Sequence, residues 1–337
     1  MPNTYLNLSN KKVLLAPLDW GLGHAARCVP LIKQLQQQNN TLVIACTKTQ
    51  KTFLQNEINN VTYVDLFGYD VRYASVLPLW MKICFQMPRL GLVVRKENKW
   101  LANYLHANKT DVVVSDNRFG FYNKSVESIF ITHQLNIQTP VLKKVVNDIN
   151  KYFIKKFNAV WIPDYAEKEK RLSGELSTPK KTIENTAFIG VLSRFKKVES
   201  IEKKHDVLIL LSGPEPQRTL LEEKLISVFT NSTYKIALVR GNSIPLKNKL
   251  PVNFSVINVA SSNQLQELFN SSKKIICRSG YSTLMDLHAQ NLTALLIPTP
   301  GQTEQEYLAH YWQQKFNCIF LEQKNITIEN IRQFLAD

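Results

Sequence analysis

The amino-acid sequence predicts an α/β protein built from two parallel-sheet domains. Three observations carry that expectation. Short apolar runs alternate with helix-patterned segments, as they do where parallel strands lie beneath crossover helices. The alternation stops at Pro163 and starts afresh at Val207. The chain has 337 residues, more than one hydrophobic core comfortably serves and enough for two domains of about 150 each. A hydrophobic content of 44% with 20% charged residues belongs to a soluble globular chain rather than a disordered one.

Along the first half, 13-VLLAPL-18 is the opening strand, and 19-DWGLGHAARC-28 turns at glycines into a helix whose apolar spacing continues to Leu35. The runs 42-LVIACT-47, 61-VTYVDL-66, 112-VVVSD-116, 129-IFITH-133 and 159-AVWIP-163 supply further strands. A polar stretch rich in Lys and Glu follows, including 170-KRLSGELSTPKK-181 and 196-KKVESIEKKHD-206. The second series is 207-VLILLSG-213, 235-KIALVRG-241, 254-FSVINVA-260, 274-KIICRSG-280 and 294-ALLIPTP-300. The expected division is therefore an N-terminal Rossmann-like domain over 1–165, a connection over 166–205 and a C-terminal Rossmann-like domain over 206–337. Ligands of such sheets bind beyond the carboxyl ends of the strands, so two domains facing each other would form a cleft lined by post-strand turns.

The formal charge of +15 is uneven. Residues 1–160 hold 20 Lys and Arg against 9 Asp and Glu, a surplus of 11, which leaves 4 for the remainder. A basic half faces something negative. No helix-turn-helix, RNP-type or zinc-finger pattern supports nucleic acid. The region 73-YASVLPLWMKICFQMPRLGLVVRKENKWLANYLHANK-109 mixes Trp80, Met81, Phe85 and Met87 with Lys82, Arg89, Arg95 and Lys96, and its sole acid is Glu97. Apolar and cationic side chains with an aromatic suit a lipid headgroup layer, so an anionic membrane surface is an expected partner. The stretch 143-KKVVNDINKYFIKKF-157 repeats the pattern at helical spacing. Both segments are equally read as amphipathic helices packed on a sheet with solvated lysines.

The N-terminus, MPNTYLNLSNKK, lacks an apolar segment with a small-residue cleavage site, and no uninterrupted run of about 18 apolar residues occurs. The cysteines at 28, 46, 84, 277 and 318 show no C-x-x-C or Cys/His spacing and read as reduced, buried thiols. A cytoplasmic protein, peripheral on the inner face of a membrane, is expected.

Collecting the residues after each strand collects the candidate site. Gly21, Gly23 and Ala26 fit the dinucleotide pattern G-x-G-x-x-A. That fingerprint needs an acid after the second strand, where the chain instead has Lys48, Thr49, Gln50 and Lys51, so NAD or FAD is not expected. The glycine turn carries His24 and Arg27 at its mouth; the other first-half turns offer Asp116, Arg118, His133 and Gln134 as groups to hold an acceptor. In the second half stand Gly213, Arg240, 278-RSGYSTLMD-286 and 301-GQTEQEY-307. Ser279 and Gly280 open a helix whose first turn contains Ser282 and Thr283. Backbone N–H groups at a helix N-terminus with small hydroxyls suit a diphosphate, and Asp286 one turn further on suits a ribose. Simple helix capping is the other reading of the same residues.

The run C-R-S-G-Y-S-T-L-M-D-L, the strand A-L-L-I-P and then G-Q-T-E-Q-E-Y resemble the donor-binding half of GT-B glycosyltransferases of family 28, which includes the transferase that forms lipid II in peptidoglycan synthesis. The Gly-Leu-Gly-His turn similarly resembles the glycine loop of that family's N-terminal domain. The resemblance implies the GT-B fold and an inverting, metal-independent transfer of a sugar from a nucleotide-sugar donor to a lipid-like or glycan acceptor. It implies that Ser279, Gly280, Ser282 and Thr283 hold the donor diphosphate, that Gln305 contacts the sugar, and that Val259 and Ala260 lie near the base. Gly213 and Arg240 fall in the same donor half. Asp286 stands where the family has the longer Glu, and Glu306 where it has Gln. No D-x-D-type pair of the kind that holds a metal-bound diphosphate is present, in keeping with metal independence.

An inverting transferase needs a base for the acceptor hydroxyl, and an imidazole titrates near physiological pH, which makes His24 the candidate. The same G-x-G-H-x-x-R pattern is similar to that of nucleotide-sugar hydrolases of the pseudaminic acid pathway, where the loop activates water. A hydrolase or epimerase of the same fold, and a non-catalytic basic nucleic-acid-binding module, therefore stand as alternatives.

Overall fold

The computed structural model describes residues 8–69, 79–178, 183–198, 201–242, 244–246 and 249–336, with the side chains of 79–90 left out. The chain divides into two units, the first taking its described residues up to 69 and Met81–Arg194, the second those from Phe195 on together with Leu79 and Trp80. The first contains strands β1 (Lys12–Pro17), β2 (Thr41–Cys46), β3 (Thr62–Asp65), β4 (Val112–Asp116), β5 (Glu127–Ile131), β6 (Ala159–Ile162) and β7 (Thr186–Phe188). Its helices are α1 (Leu22–Gln37), α2 (Lys48–Gln55), α3 (Leu79–Ala107) and α4 (Lys143–Ile154). The second has β8 (His205–Leu210), β9 (Ile236–Val239), β10 (Phe254–Ile257), β11 (Ser272–Cys277), β12 (Leu295–Leu296) and β13 (Ile319–Phe320). With them go α5 (Gln217–Phe229), α6 (Ser262–Ser271), α7 (Tyr281–Gln290), α8 (Thr303–Lys315) and α9 (Ile328–Ala336).

Both sheets are parallel throughout and repeat one topology. The first runs β3-β2-β1-β4-β5-β6-β7, the second β10-β9-β8-β11-β12-β13. Each chain path leaves its first strand in one direction, then returns past it in the other. The direction reverses between β1 and β4 in the first sheet and between β8 and β11 in the second, and the crevice at such a reversal is where doubly wound sheets bind ligands.

Continuous apolar runs form these strands because helices cover both faces. Val13, Leu14, Leu15 and Ala16 of β1 are all buried, and Leu14 sits in register with Val43 of β2 and Val113 of β4. Leu101 of α3 and Phe121 close over Leu14, Ala16 and Val113. Ile154 of α4 and Phe157 pack with Phe130 of β5 and Val160 of β6. In the second unit Val207, Ile209, Leu221, Leu225, Leu238 and Ile276 share one core. Full burial of each such side chain contributes about 1.5–3 kcal/mol.

Residues 166–194, expected to be connection, belong to the first unit. The fully buried carboxylate of Asp164 accepts hydrogen bonds from the N–H groups of Leu172 (2.8 Å) and Ser173 (3.0 Å) and from the hydroxyls of Ser173 (2.5 Å) and Ser177 (3.2 Å). A polar segment is thereby wrapped around a single anion and led into β7, the seventh strand of the sheet. No helix among the described residues is long and apolar enough to cross a membrane. Of the membrane-facing expectation for 73–109, residues 73–78 and the side chains of Trp80, Met81, Lys82, Phe85, Met87 and Arg89 lie outside the described residues.

Glu97, the one acid of that region, is wholly buried. Its carboxylate takes Arg118 Nε at 2.5 Å, the Tyr69 hydroxyl at 2.8 Å and the Gly120 N–H at 2.9 Å. Arg118 in turn donates to the carbonyls of Pro17 (3.2 Å) and Phe67 (2.7 Å). The pair thus fastens α3 to the turns after β1, β3 and β4. Glu97→Ala, which leaves Arg118 only the more distant carboxylate of Asp19 at 3.7 Å, is expected to lower the unfolding free energy by about 3–5 kcal/mol, and replacing both partners with apolar residues by less. Urea unfolding measures both; a loss under about 1 kcal/mol for the single variant would contradict this role.

Candidate active site

At the β1/β4 reversal the chain leaves β1, runs through Leu18–Trp20 and enters α1 at Gly21. Gly21 has φ +81° and ψ −178°, a conformation essentially restricted to glycine. Nothing lies within 4 Å of where its Cβ would be, so the demand is conformational rather than spatial. Gly23 and His24 are the second and third residues of α1. Asp116, the last residue of β4, pairs in register with Pro17 and lies directly across from this turn.

The Asp116 carboxylate is fully buried and gathers three side chains of α1. His24 Nδ1 lies 2.9 Å from Oδ2. Arg27 Nε donates to Oδ1 at 3.0 Å and its Nη2 also bonds Oδ1. The Cys28 thiol donates to Oδ2 at 3.6 Å. Arg27 Nη1 reaches His133 Nδ1, just after β5, at 3.3 Å. Because guanidinium only donates, that His133 nitrogen is the acceptor.

Charge follows from the same geometry. Burial alone would raise the Asp116 carboxyl, but Arg27 and His24 outweigh it and hold the group at about 2, so it is a carboxylate at neutral pH. Burial, then the Arg27 guanidinium, pull the His24 imidazole below its usual value against the opposing pull of Asp116. The positive end of α1 acts in the same direction. A carboxylate accepts only, so Nδ1 of the neutral imidazole carries the proton and Nε2 carries the lone pair. The His24 side chain keeps 17% of its surface open, against none for Asp116. The arrangement is an oriented, uncharged, solvent-reaching base. Burial and Asp116 push the Cys28 thiol well up, so it stays a donor.

At the β8/β11 reversal of the second unit, Gly280 caps α7 without a side chain, which leaves the N–H groups of Ser282 and Thr283 unclaimed by any cap. By contrast, Thr47 with Gln50 and Ser261 with Gln264 close α2 and α6 with capping boxes. The Ser279 hydroxyl is buried and donates to the Gln305 carbonyl at 2.7 Å, so only its backbone faces a ligand question. Gln305 Oε1 accepts from the Thr299 N–H at 2.9 Å while its Nε2 lies 4.0 Å from a Cβ built on Gly280. Glu306 Oε1 accepts from the Gly301 N–H at 2.8 Å. These two side chains fold the β12–α8 loop onto the start of α8, which the Ser279 hydroxyl ties to the α7 turn. Gly213, after β8, has φ +103° and faces the Thr299 hydroxyl. Asp286 is buried on α7, Val259 is exposed and Ala260 half-buried after β10.

Two expected site residues have other work. Arg118 is fully buried and spent on Glu97 and backbone carbonyls, so it does not reach an acceptor. Arg240 is equally inward: it bonds Glu222, the Ile244 carbonyl and Asn258 Oδ1, the last at 2.9 Å, and it organises the β9–β10 turn rather than a ligand. Gln134 uses its carbonyl on Asn150 Nδ2. Cys28 and Arg278, which the sequence reading passed over, are the residues added to the two sites. Arg278 stood inside the quoted motif but without an assigned role.

Residues 216–337 match the family model described as glycosyltransferase family 28 C-terminal domain. Two uncharacterized glycosyltransferases of Methanosarcina acetivorans are similar to the chain: one is 21% identical over 358 residues, 97% of this chain and 88% of that protein. The other is 24% identical over 326 residues, 88% and 81% respectively. Among solved structures, Arabidopsis thaliana UGT89C1 complexed with UDP-L-rhamnose superposes with TM-score 0.66 at 13% identity, covering 98% of this chain and 90% of that one. The glycotransferase of kitacinnamycin gives 0.65 at 14% identity over 100% and 90%. Acinetobacter baumannii MurG gives 0.56 at 13% identity over 97% and 90%. At such identities the structural likeness establishes the fold. The fold is that of the GT-B glycosyltransferases, and the second half of the chain is similar to the C-terminal domain of glycosyltransferase family 28.

Proposed function

We propose that the protein is an inverting, metal-independent transferase that moves a hexosyl or N-acetylhexosaminyl group from a UDP-sugar to the hydroxyl of a lipid-like or glycan acceptor. The observation that carries this reading is the His24–Asp116 pair at the reversal point of the first sheet. His24 Nε2 takes the proton of the acceptor hydroxyl as its oxygen forms the new bond to the sugar's anomeric carbon. The bond from that carbon to the phosphate oxygen breaks, and its electron pair leaves with UDP. Asp116 steadies the imidazolium that results, and the Ser282 and Thr283 N–H groups receive the diphosphate. A base already held neutral and oriented needs no metal to generate the nucleophile.

A membrane-presented acceptor is supported by α4. Leu142, Val145 and Tyr152 are 62%, 49% and 58% exposed, and Lys144, Lys155 and Lys156 stand exposed among them with Asp148 the single acid. Exposed apolar side chains ringed by cations suit an anionic headgroup layer, where each basic residue contributes about 1 kcal/mol.

With a panel of nucleotide sugars and lipid-linked or free glycan acceptors, the wild type is expected to form product with inverted configuration in the presence of EDTA. His24→Ala should lower turnover by about 10²- to 10⁴-fold while leaving UDP affinity unchanged. Free sugar released at turnover rates without an acceptor would replace transfer by hydrolysis, and near-normal turnover of the variant would remove His24 from catalysis.

Because the base works unprotonated, turnover should fall only as pH drops through a value below the ordinary histidine pKa of about 6.5. Asp116→Asn removes the groups that raise the His24 pKa, so the acid limb should move lower still while the plateau drops about 10²- to 10⁴-fold. A limb at or above the ordinary value, or one that Asp116→Asn moves upward, contradicts the assignment.

In vesicle sedimentation, binding should require anionic lipid, weaken as salt rises, and diminish when Lys144, Lys155 and Lys156 are changed to Gln. Equal sedimentation with neutral vesicles would point to a soluble acceptor instead.

A further inference from the structure

Five arginines of the described residues are buried: Arg27, Arg118, Arg218, Arg240 and Arg278. Four have a carboxylate. Arg27 pairs with Asp116, Arg118 with Glu97, and both Arg218 and Arg240 with Glu222. Arg278 is the exception, and it is among the most deeply buried of the set. Its Nη1 donates to the carbonyls of Ile297 (3.1 Å) and Pro298 (2.9 Å), and Nη2 donates to the carbonyl of Gln217 (2.8 Å). Its Nε–H has no acceptor, and the nearby Thr299 hydroxyl is likewise buried without a partner. Burial lowers the pKa of the group, and no acid counters it.

A buried charge without a partner is costly and is retained where something external supplies the partner. The position of Arg278 says what that is. It follows β11 at the reversal point of the second sheet and immediately precedes the Ser279–Gly280 turn. Its carbonyl contacts join the end of β12 to the first residue of α5. The loops after β8, β11 and β12 therefore converge on one cation, in the residue that precedes the Ser279–Gly280 turn and the uncapped start of α7.

We propose that Arg278 is the resident counter-charge of the donor site, a positioning residue that draws a nucleoside diphosphate to the Gly280 turn and favours the charge that develops on it as the leaving group departs. The proposal rests on the donor-site reading given above. It adds that the site selects for phosphate charge through a cation underneath it, in addition to backbone N–H groups at its surface. When the bond between the anomeric carbon and the phosphate oxygen breaks, the diphosphate gains one negative charge. That charge forms above a fixed positive one in a medium of low dielectric, where no solvent reorganisation is required.

A purely structural clip would tie the same loops and would matter equally for every ligand. The two roles separate in the ratio of affinities for UDP and for uridine, which share the nucleoside but differ in charge. Calorimetry on the wild type, Arg278→Gln and Arg278→Lys is expected to show the UDP-to-uridine ratio reduced about ten- to a hundredfold in Arg278→Gln with uridine binding unchanged, and largely kept in Arg278→Lys near pH 7. Equal weakening of both ligands in Arg278→Gln, or no change in the ratio, would overturn the proposal. If Arg278→Gln does not fold, Arg278→Lys decides through pH. A buried lysine loses its charge at lower pH than an arginine in the same place, so as pH rises from 7 the UDP-to-uridine ratio of Arg278→Lys should fall before that of the wild type does. A ratio that stays constant in that variant overturns the role of Arg278. Failure of the wild type to bind UDP would instead overturn the donor-site reading, and this inference with it.

Discussion

The carboxylate of Asp116 is where the first unit's segments have to agree. Its backbone carbonyl accepts from the Leu18 N–H at 2.9 Å, which sets the path of the chain leaving β1. Its side chain then receives His24, Arg27 and Cys28 from two successive turns of α1. Arg27 extends the connection to His133 after β5. One buried anion thus fixes the register of α1 against β4 and, through it, the direction of the imidazole. A shift of α1 by a single residue would rotate His24 by about 100° and leave both Arg27 and Asp116 unpaired in the interior. Fold stability and orientation of the base rest on the same contacts.

The second unit answers the same topological position with the opposite sign. Asp116 ends the strand next to β1, and Arg278 follows the strand next to β8. Each reaches the chain that leaves the neighbouring strand, Asp116 through the side chains of α1 and Arg278 through the Gln217 carbonyl. The anionic position is satisfied within the protein and yields a base. The cationic position is satisfied only by carbonyl dipoles, which leaves a net positive field at a helix N-terminus. The mechanism proposed above would use these two opposite devices, one to remove a proton and one to receive a departing anion.

How much of this the sequence shows depends on distance along the chain. Buried parallel strands announce themselves as Val- and Ile-rich runs, and the eleven so read coincide in place with β1–β6 and β8–β12. β7 and β13, three and two residues long, are not read from the sequence; β12 is as short but is read because it lies within the apolar run 294-ALLIP-298. Residues 166–194 look like a linker because they are polar, yet their polarity is turned inward on Asp164, a carboxylate whose ligands lie eight to thirteen residues away. The sequence offers candidate site residues by type and by position after a strand. It does not offer their partners. Arg27 and Arg118 are the same residue beside the same strand end, and only the fold sends one to Asp116 and the other to Glu97, 21 positions back. Arg278 was hidden for the reverse reason, since its distinction is a missing partner, which no local pattern records.

Arg27 decides what sort of base His24 is. A carboxylate facing an imidazole alone orients it but also raises its pKa, and an imidazolium at neutral pH accepts no proton. Arg27 takes up much of the Asp116 charge through Nε and Nη2 and repels a proton on His24 directly, so the orienting hydrogen bond is kept while its electrostatic effect on the resting state is offset. Burial and the start of α1 push the same way. If His24 takes a proton as proposed, the Nδ1–Asp116 hydrogen bond becomes charge-assisted and strengthens, so Asp116 favours the protonated imidazole more than the neutral one. On the proposed mechanism, the Asp116–Arg27 pair would keep the base neutral before the reaction and support it only as charge develops, which is the differential stabilisation that catalysis requires.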